Sequence, residues 1–455
     1  MRIFVLFLIL LISCASAEAP KLAPRIPWYE TEQNLLKKEK ILEEKTFMHV
    51  TEQGLLLYRA KFPWGNEQNY QESHNIADQP AWQGYLMAAL AFKEAATGED
   101  QDNLISFLAT GLLFHYKITG IEGLFGRAIF PGYTGPRLHW MADENSRDTR
   151  FWAQGPTGEW WRNGVAKDHL NLAIFGCTIP LILDRQNKIT LNPLTKKVLI
   201  AVMVPAIKRL LDHDLRIVDY DGRITEFGNL SEQVINGFNM MLVLHMLKSV
   251  ASLREEECTP SQWQTVIRSK QFYDGHIGAW SGLIRLSLQA SGEGVRYLIG
   301  EDRGELDKPS FSDVQALGAA FLSLSMQETN REHMKDIRGG MSGWWKFVQY
   351  ENNPIYAFPY VFFVRPLERW RLTQVITDLR DFPILKYEAL TSRKDTKYIQ
   401  PLANRPLNSN YWKSSPFVIL GFPPQPYTED SIRYAAMDYL LAYWMGRYLN
   451  LVPEE

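Results

Sequence analysis

Six stretches of this chain are apolar on nearly every side over a helical length, and most follow a polar or acidic residue. They cover residues 81–96, 168–183, 231–250, 277–288, 313–324 and 432–448. A helix that is apolar all round must be covered on several sides. Helices with a single apolar face accompany the first three: 103–118 follows the turn Thr97-Gly98-Glu99-Asp100, 194–211 follows the second stretch, and 260–272 follows the third. A charged amphipathic helix over about 30–58 precedes them all, with Leu35, Leu36, Ile41, Leu42, Phe47 and Val50 at helical spacing.

Two kinds of helix in alternation pack best as an inner set and an outer set. The expected fold is therefore all-α, an (α/α)6-type toroid of helical hairpins with long loops. The hairpins share no fixed period, so a short-repeat solenoid is excluded. Strand signals are few, and Arg216 to Thr225 around Asp221-Gly222 is the one expected β-ribbon. Inner helices of a toroid run parallel, which gathers their N-termini on one face. That face would collect Asp78, Asp168, Glu232, Asp313 and Asp430, together with the long loop 120–167.

Composition agrees with one large domain over 18–455. Of the 455 residues 46% are hydrophobic and 22% charged, which suffices for a sizeable core and rules out a disordered chain. The net charge is -2 and neither sign forms a long run, so no nucleic-acid partner is expected.

The N-terminus reads as an export signal, residues 1–17. Arg2 precedes an apolar run, Ile3 to Ile12, too short to span a bilayer, and small residues follow. Two cleavages compete. Leu11-Ile12-Ser13-Cys14 resembles a bacterial lipobox, which would leave Cys14 lipidated and the protein anchored to a membrane of the cell envelope, whereas Ala15-Ser16-Ala17 suits ordinary secretion. Beyond Cys14 only Cys177 and Cys258 remain, as one disulfide or two buried thiols. There is no CxxC, HExxH, GxSxG or Gly-rich phosphate loop, so no metal and no cofactor is expected.

The stretch 143–184 is the richest in chemistry. Asp143, Glu144, Arg147, Asp148, Arg150, Trp152, Trp160, Trp161 and Arg162 crowd a loop punctuated by Gly155, Pro156, Gly158 and Gly164. From Asp168 the chain turns into a buried helix. Carboxylates, cations and indoles are thus delivered beside the unpaired N–H groups of a helix start, a place suited to a polar ligand.

Asp78-Gln79 with Trp82-Gln83-Gly84, the Thr97–Asp100 turn, Lys167-Asp168-His169, and Asp221-Gly222 with Thr225 before Asn236-Gly237 together resemble the six-hairpin carbohydrate-active proteins. Unsaturated glucuronyl hydrolases and certain polysaccharide lyases are of that kind. The likeness covers about 78–324 and implies an (α/α)6 fold and a glycan substrate; no family's full catalytic motif lies on the chain.

Three function classes follow. Glycosidic cleavage needs two carboxyl groups across the scissile bond, and Asp78 and Asp168 on neighbouring inner helices are the best pair, one as acid and one ionised to activate water. Trp82, Trp140, Trp160 and Trp161 would stack on sugar faces, and His169, Arg147, Asp148 and Glu232 would pair with hydroxyls. A lyase would use His169 or a Tyr as base and Arg147 to neutralise a uronate. A non-catalytic glycan- or peptidoglycan-binding lipoprotein would use the same groups without a matched acid and base. A toroid that cyclises an apolar chain fits the polar 143–168 loop least.

Plainer readings compete for the same residues. Asp78 and Asp168 stand where N-caps stand, a role worth about 1 kcal/mol by itself. Asn229 and Glu232 fit a capping box. His169 suits a core histidine, the charged loop a solvated surface, and Trp160-Trp161 a plug. The Pro-rich segment 382–428 is expected to wrap across the domain before a closing inner helix.

Overall fold

The computed structural model describes residues 32–61, 72–73, 78–129, 152–231, 237–289, 311–349, 353–382, 384 and 432–453. Twelve α-helices and a few short strands make up the described residues. The expected charged opening helix is shorter than its sequence suggests: α1 spans Leu35–Phe47, capped by the side chain of Asn34. After it come β1 (Arg59–Lys61), β2 (Glu72–Ser73), α2 (Gln79–Thr97) and α3 (Asp102–Thr119). Pro80 sits in the first turn of α2, where a missing N–H costs nothing, and Gly98 ends the helix at φ 76.

Next are β3 (Ala128–Ile129), β4 (Trp152–Gln154) and β5 (Trp160–Arg162), with β5 in the middle of a small antiparallel sheet. Part of the stretch read as loop is therefore a β-hairpin, its Gly155, Pro156 and Gly158 forming the turn. Helix α4 (Lys167–Arg185) and α5 (Pro193–Asp212) follow, then β6 (Arg216–Val218) paired with β7 (Ile224–Asn229), the ribbon expected around Asp221-Gly222. The rest comprises α6 (Gly237–Ala251), α7 (Pro260–Gln289), α8 (Phe311–Gln327), α9 (Arg331–Val348), α10 (Pro354–Phe363), α11 (Arg369–Arg380), β8 (Ile432–Tyr434) and α12 (Met437–Tyr448).

Three expectations about helices are corrected. The stretches 260–272 and 277–288 form one helix of 30 residues, α7, and its apolar second half leaves Leu283 and Leu286 exposed. That half buries only one face, with Ile277, Trp280 and Ile284 in the core, and α10 is the helix buried more fully, with Tyr356, Ala357 and Phe358 inaccessible. The stretch 432–448 is strand β8 followed by α12. Asp430 and residues 385–428 of the Pro-rich segment lie outside the described residues, as does Cys14.

Helix α2 packs on α4, α4 on α6 and α8, α6 on α8, α8 on α10, α10 on α12, and α12 back on α2. Several of these run parallel. Asp78 before α2 meets His169 in the first turn of α4, while Glu94 near the end of α2 accepts from the backbone N–H of Thr190 just past α4. Asn171 early in α4 donates to the carbonyl of Ala316 early in α8, and Gln186 beyond α4 reaches the carbonyl of Met326 near the end of α8. The starts of α2, α4 and α8 therefore lie at one end. Gly84 and Gly176 bring α2 and α4 unusually close: a Cβ on Gly84 would sit 2.0 Å from the Leu172 carbonyl oxygen, and one on Gly176 would sit 2.2 Å from the Gly84 Cα. One apolar core joins residues from Leu35 to Val452.

Candidate functional site

Asp78 and Asp168 converge on His169. The His169 Nε2 contacts Asp78 Oδ1 and lies 3.8 Å from Asp168 Oδ2. Neither carboxylate caps its helix. Asp78 holds the cap position of α2 but makes no side-chain cap bond, and the cap position of α4 belongs to Ala166, which places Asp168 inside the first turn. The capping reading of Asp168 is thereby corrected, and for Asp78 the position survives without the function. The side chain that does serve the start of α4 is His169, whose Nδ1 accepts the backbone N–H of Ala166 at 3.0 Å.

This bond fixes the imidazole. With Nδ1 accepting, the proton resides on Nε2 and points at Asp78, so both ring nitrogens are engaged and the ring has no lone pair for a substrate. His169 is also only 2% exposed, which corrects its assignment as a sugar ligand or a lyase base. Asp78 is further bound by Arg127 Nη2 at 3.2 Å. Burial by itself would raise the Asp78 carboxyl, but His169 and Arg127, with Arg162 beyond them, outweigh it and hold the group well below the usual carboxylate range. That environment favours the ionised form of Asp78 and counts against its use as an acid.

Arg127 had no sequence signal, because its partner is 49 residues away. It is held from two sides: its Nη1 donates to the Gly164 carbonyl at 3.3 Å, and the carbonyl of Gly126 beside it accepts from His115 Nδ1 at 2.6 Å. Gly164 in turn donates its N–H to Asp219 at 2.9 Å, and Thr225 donates to the Val165 carbonyl at 2.7 Å. The β6–β7 ribbon thus buttresses the segment that enters α4.

Asp168 differs from Asp78. Both side chains are 12% exposed, but among the described residues no hydrogen bond reaches the Asp168 carboxylate. It sits in the first turn of α4, where the helix dipole favours negative charge.

The expected aromatic platforms separate. Trp82 is fully buried between Tyr58, 5.5 Å between ring centres, and Tyr85, and is a core residue, not a sugar platform. Trp161 is buried as well, against Leu55, Ile118 and Ile129. Trp160 is half-buried. Tyr220, which the sequence did not single out, stands edge-on to Trp161 at 5.7 Å and is 45% exposed at the tip of the ribbon. Trp140, Arg147, Asp148 and Glu232 lie outside the described residues.

Polar side chains are also buried deeper. The six helices of the packing circuit each carry a buried amide or carboxylate at the cap or in the first two turns: Gln79, Asp168 and Asn171, Asn239, Gln315, Asn353 and Asp438. Gln79 Oε1 accepts the Ile129 N–H at 2.8 Å, while its Nε2 has no partner. Gln315 is fully buried and neither of its amide atoms is paired. Most buried amides are satisfied, so such a group calls for a physical account. Among the described residues no cluster of His, Cys, Asp and Glu could hold a metal ion, and Cys177 and Cys258 are both free thiols.

No family model matches the chain, and no curated protein or solved structure is detectably similar to it.

Proposed function

We propose that this chain is an exported carbohydrate-active protein built as an (α/α)6 toroid, with Asp168 as its working carboxyl. The circuit of helices that leaves α2 and returns to it through α12 supports the architecture. One observation carries the site: a largely buried carboxylate that no described residue hydrogen-bonds, at a helix start beside the anchored pair Asp78–His169. A buried carboxylate left unpaired is costly, and such groups persist where they meet a ligand. Hydrolysis of a glycosidic bond is the favoured reaction, with Asp168 exchanging the proton or activating water, and Asp78, Arg127 and His169 as positioning residues. Tyr220 offers an apolar face for a sugar at the rim.

Binding without turnover is the second reading. What favours it is Asp78 itself, committed to Arg127 and His169 and so unable to complete a carboxyl pair with Asp168. Incubating the full chain with a panel of poly- and oligosaccharides separates the two. New reducing ends that vanish in Asp168→Asn support hydrolysis, and retention of glycans without cleavage supports binding. A protein that neither retains nor cleaves any glycan ends both readings.

A further inference from the structure

The β6–β7 ribbon reaches the carboxyl site by two routes. The first runs through Asp219, the residue after β6: its Oδ1 accepts the N–H of Tyr220 at 2.8 Å and its Oδ2 the N–H of Gly164 at 2.9 Å. One half-buried side chain thus ties the ribbon tip to the segment that enters α4. Burial pushes the Asp219 carboxyl up and the two N–H groups oppose that push, so its ionised form depends on both bonds. Gly164 passes the restraint on. Its carbonyl accepts from Arg127 Nη1 at 3.3 Å, and Arg127 Nη2 holds Asp78 at 3.2 Å. The second route is aromatic: Tyr220 stands edge-on to Trp161 of β5, and the carbonyl of the next residue, Arg162, accepts the backbone N–H of Arg127 at 2.7 Å. Both routes end on Arg127.

The segment between ribbon and helix is held residue by residue. Gly164 bonds Asp219 and Arg127, the Val165 carbonyl takes the hydroxyl of Thr225 at 2.7 Å, and Ala166 gives its N–H to His169 Nδ1 at 3.0 Å. Asp168 lies inside the turn that this last bond closes. The ribbon itself is rooted on α5, where Arg209 donates to the Val218 carbonyl at 2.7 Å. With each of residues 164–166 tied, movement of the tip is carried to Arg127 and to the first turn of α4 through a continuous hydrogen-bonded network. We infer that Asp219 is a positioning residue for the carboxyl site, and that the ribbon tip is the arm through which a ligand lying on Tyr220 sets the placement of Asp78 and Asp168. This rests on the reading of Asp168 given above and adds a means of control to it. Tyr220 is 45% exposed and open to such a ligand. The linkage is reciprocal, so whatever orders the carboxyls also favours the ligand-bound tip.

NMR of the full chain with isotope-labelled histidine and aspartate tests the coupling before any ligand is added. In the wild type His169 should show one tautomer, protonated on Nε2, and Asp78 should titrate below the usual carboxylate range. Asp219→Ala should leave His169 in both tautomers and move the Asp78 titration up. Asp221→Ala, which removes bonds to Arg223 inside the ribbon turn, should change neither. If Asp219→Ala does not fold, Asp219→Asn, which keeps one of the two acceptors, is read in the same way. One tautomer and an unmoved Asp78 titration in a folded Asp219 variant overturn the inference, even with a lowered melting temperature, because a ribbon that merely braces the fold would behave so. The chain is then titrated with hexasaccharides of glucose, of N-acetylglucosamine and of a uronate. One that binds the wild type should bind Asp219→Ala and Tyr220→Ala at least about tenfold more weakly. Unchanged affinity in both variants overturns the part given to the ligand. If none of the sugars binds the wild type, the carbohydrate reading fails, and the spectra alone decide whether Asp219 positions the site.

Discussion

His169 in the first turn of α4 turns its Nε2 onto the carboxylate of Asp78, which stands at the start of the neighbouring helix α2. One side chain thereby serves two helices. It satisfies the backbone of α4 through Nδ1 and locks the end of α2 beside it, and Asp168 is carried in the same turn without being drawn into the contact. The arrangement separates the carboxylate that builds the site from the one left available to it.

The two aspartates therefore respond differently to the same substitution. Asp168→Asn removes no cap bond and, among the described residues, no hydrogen bond, and its unfolding free energy is expected to stay within about 0.5 kcal/mol of wild type. Turnover on a glycan should fall by about 10²–10⁴, the range that a positioned proton transfer supplies. Equal turnover in the variant, with unchanged melting, would remove Asp168 from the chemistry.

Asp78→Asn should cost stability instead, on the order of 1–3 kcal/mol, because Arg127 and His169 lose an ionised partner in a buried setting. The wild-type carboxyl is held below its unfolded value, so its contribution is present above the unfolded value near 3.8 and is lost as pH falls toward the folded one. Thermal melts between pH 2 and 7, a range of about 5 units chosen to span that window, should show a shallower acid limb in the variant. Parallel limbs would mean that Asp78 is not held as described.

A second buried carboxylate works in the opposite direction. Glu39 on α1 is 1% exposed, accepts from Trp444 Nε1 at 2.9 Å, and is pushed up to about 7 by burial, with Glu43 adding and Lys93 opposing. Relative to an unfolded value of 4.5, its favourable contribution is whole below that pH and is lost as pH rises through about 7. Glu39→Gln keeps an acceptor for Trp444 and should gain on the order of 2–3 kcal/mol at about pH 8, with little change at about pH 4. A gain of the same size at both values would point to packing, not ionisation.

Gly84→Ala tests how tightly α2 and α4 are joined. The added methyl would collide with the backbone of Leu172, which cannot rotate away, so the helices must part and carry Asp78 away from His169. The expected loss is about 3 kcal/mol or more, at or above the upper end for overpacking. Chemical denaturation measures it, and a variant as stable as wild type would contradict the close approach.

Export is tested by Cys14→Ser. A lipidated protein should leave the membrane fraction or accumulate as uncleaved precursor, while a protein cleaved after Ala17 should fractionate as before.

Much of the helical layout is readable from periodicity and punctuation. The expected 81–96, 103–118, 168–183 and 194–211 lie within α2 to α5, each bounded by residues such as Pro80, Gly98, Gly120 and Pro193 that act locally. Errors arose where a local signal meant something else. The stretches 260–272 and 277–288 read as two helices, yet α7 continues through Gly275 and Gly278 as one. Pro354 and Pro359 disguise α10, although Pro354 occupies its first turn behind the Asn353 cap. Asp168 looks like a cap because aspartate usually is one; the helix starts one residue earlier. The site is harder still to read. The links from Asp78 to Arg127 and His169 cross between elements distant in sequence, and the orphaned amide of Gln315 has no signature in a run of alanine and leucine.

The first and last helices meet. Lys38 of α1 is fully buried, and its ammonium donates to the carbonyls of Leu379, Arg380 and Phe382 at the close of α11, while Glu39 takes the Trp444 indole of α12 and β1 pairs with β8. Nearly the whole chain lies between these partners. A ribosome can therefore release α2 to α10 before Lys38 or Glu39 has anything to bind, and two charged side chains wait in water for the final residues. Closure of such long-range contacts is slow. Completion of the core therefore waits for α11 and α12, the last of the described helices to be made.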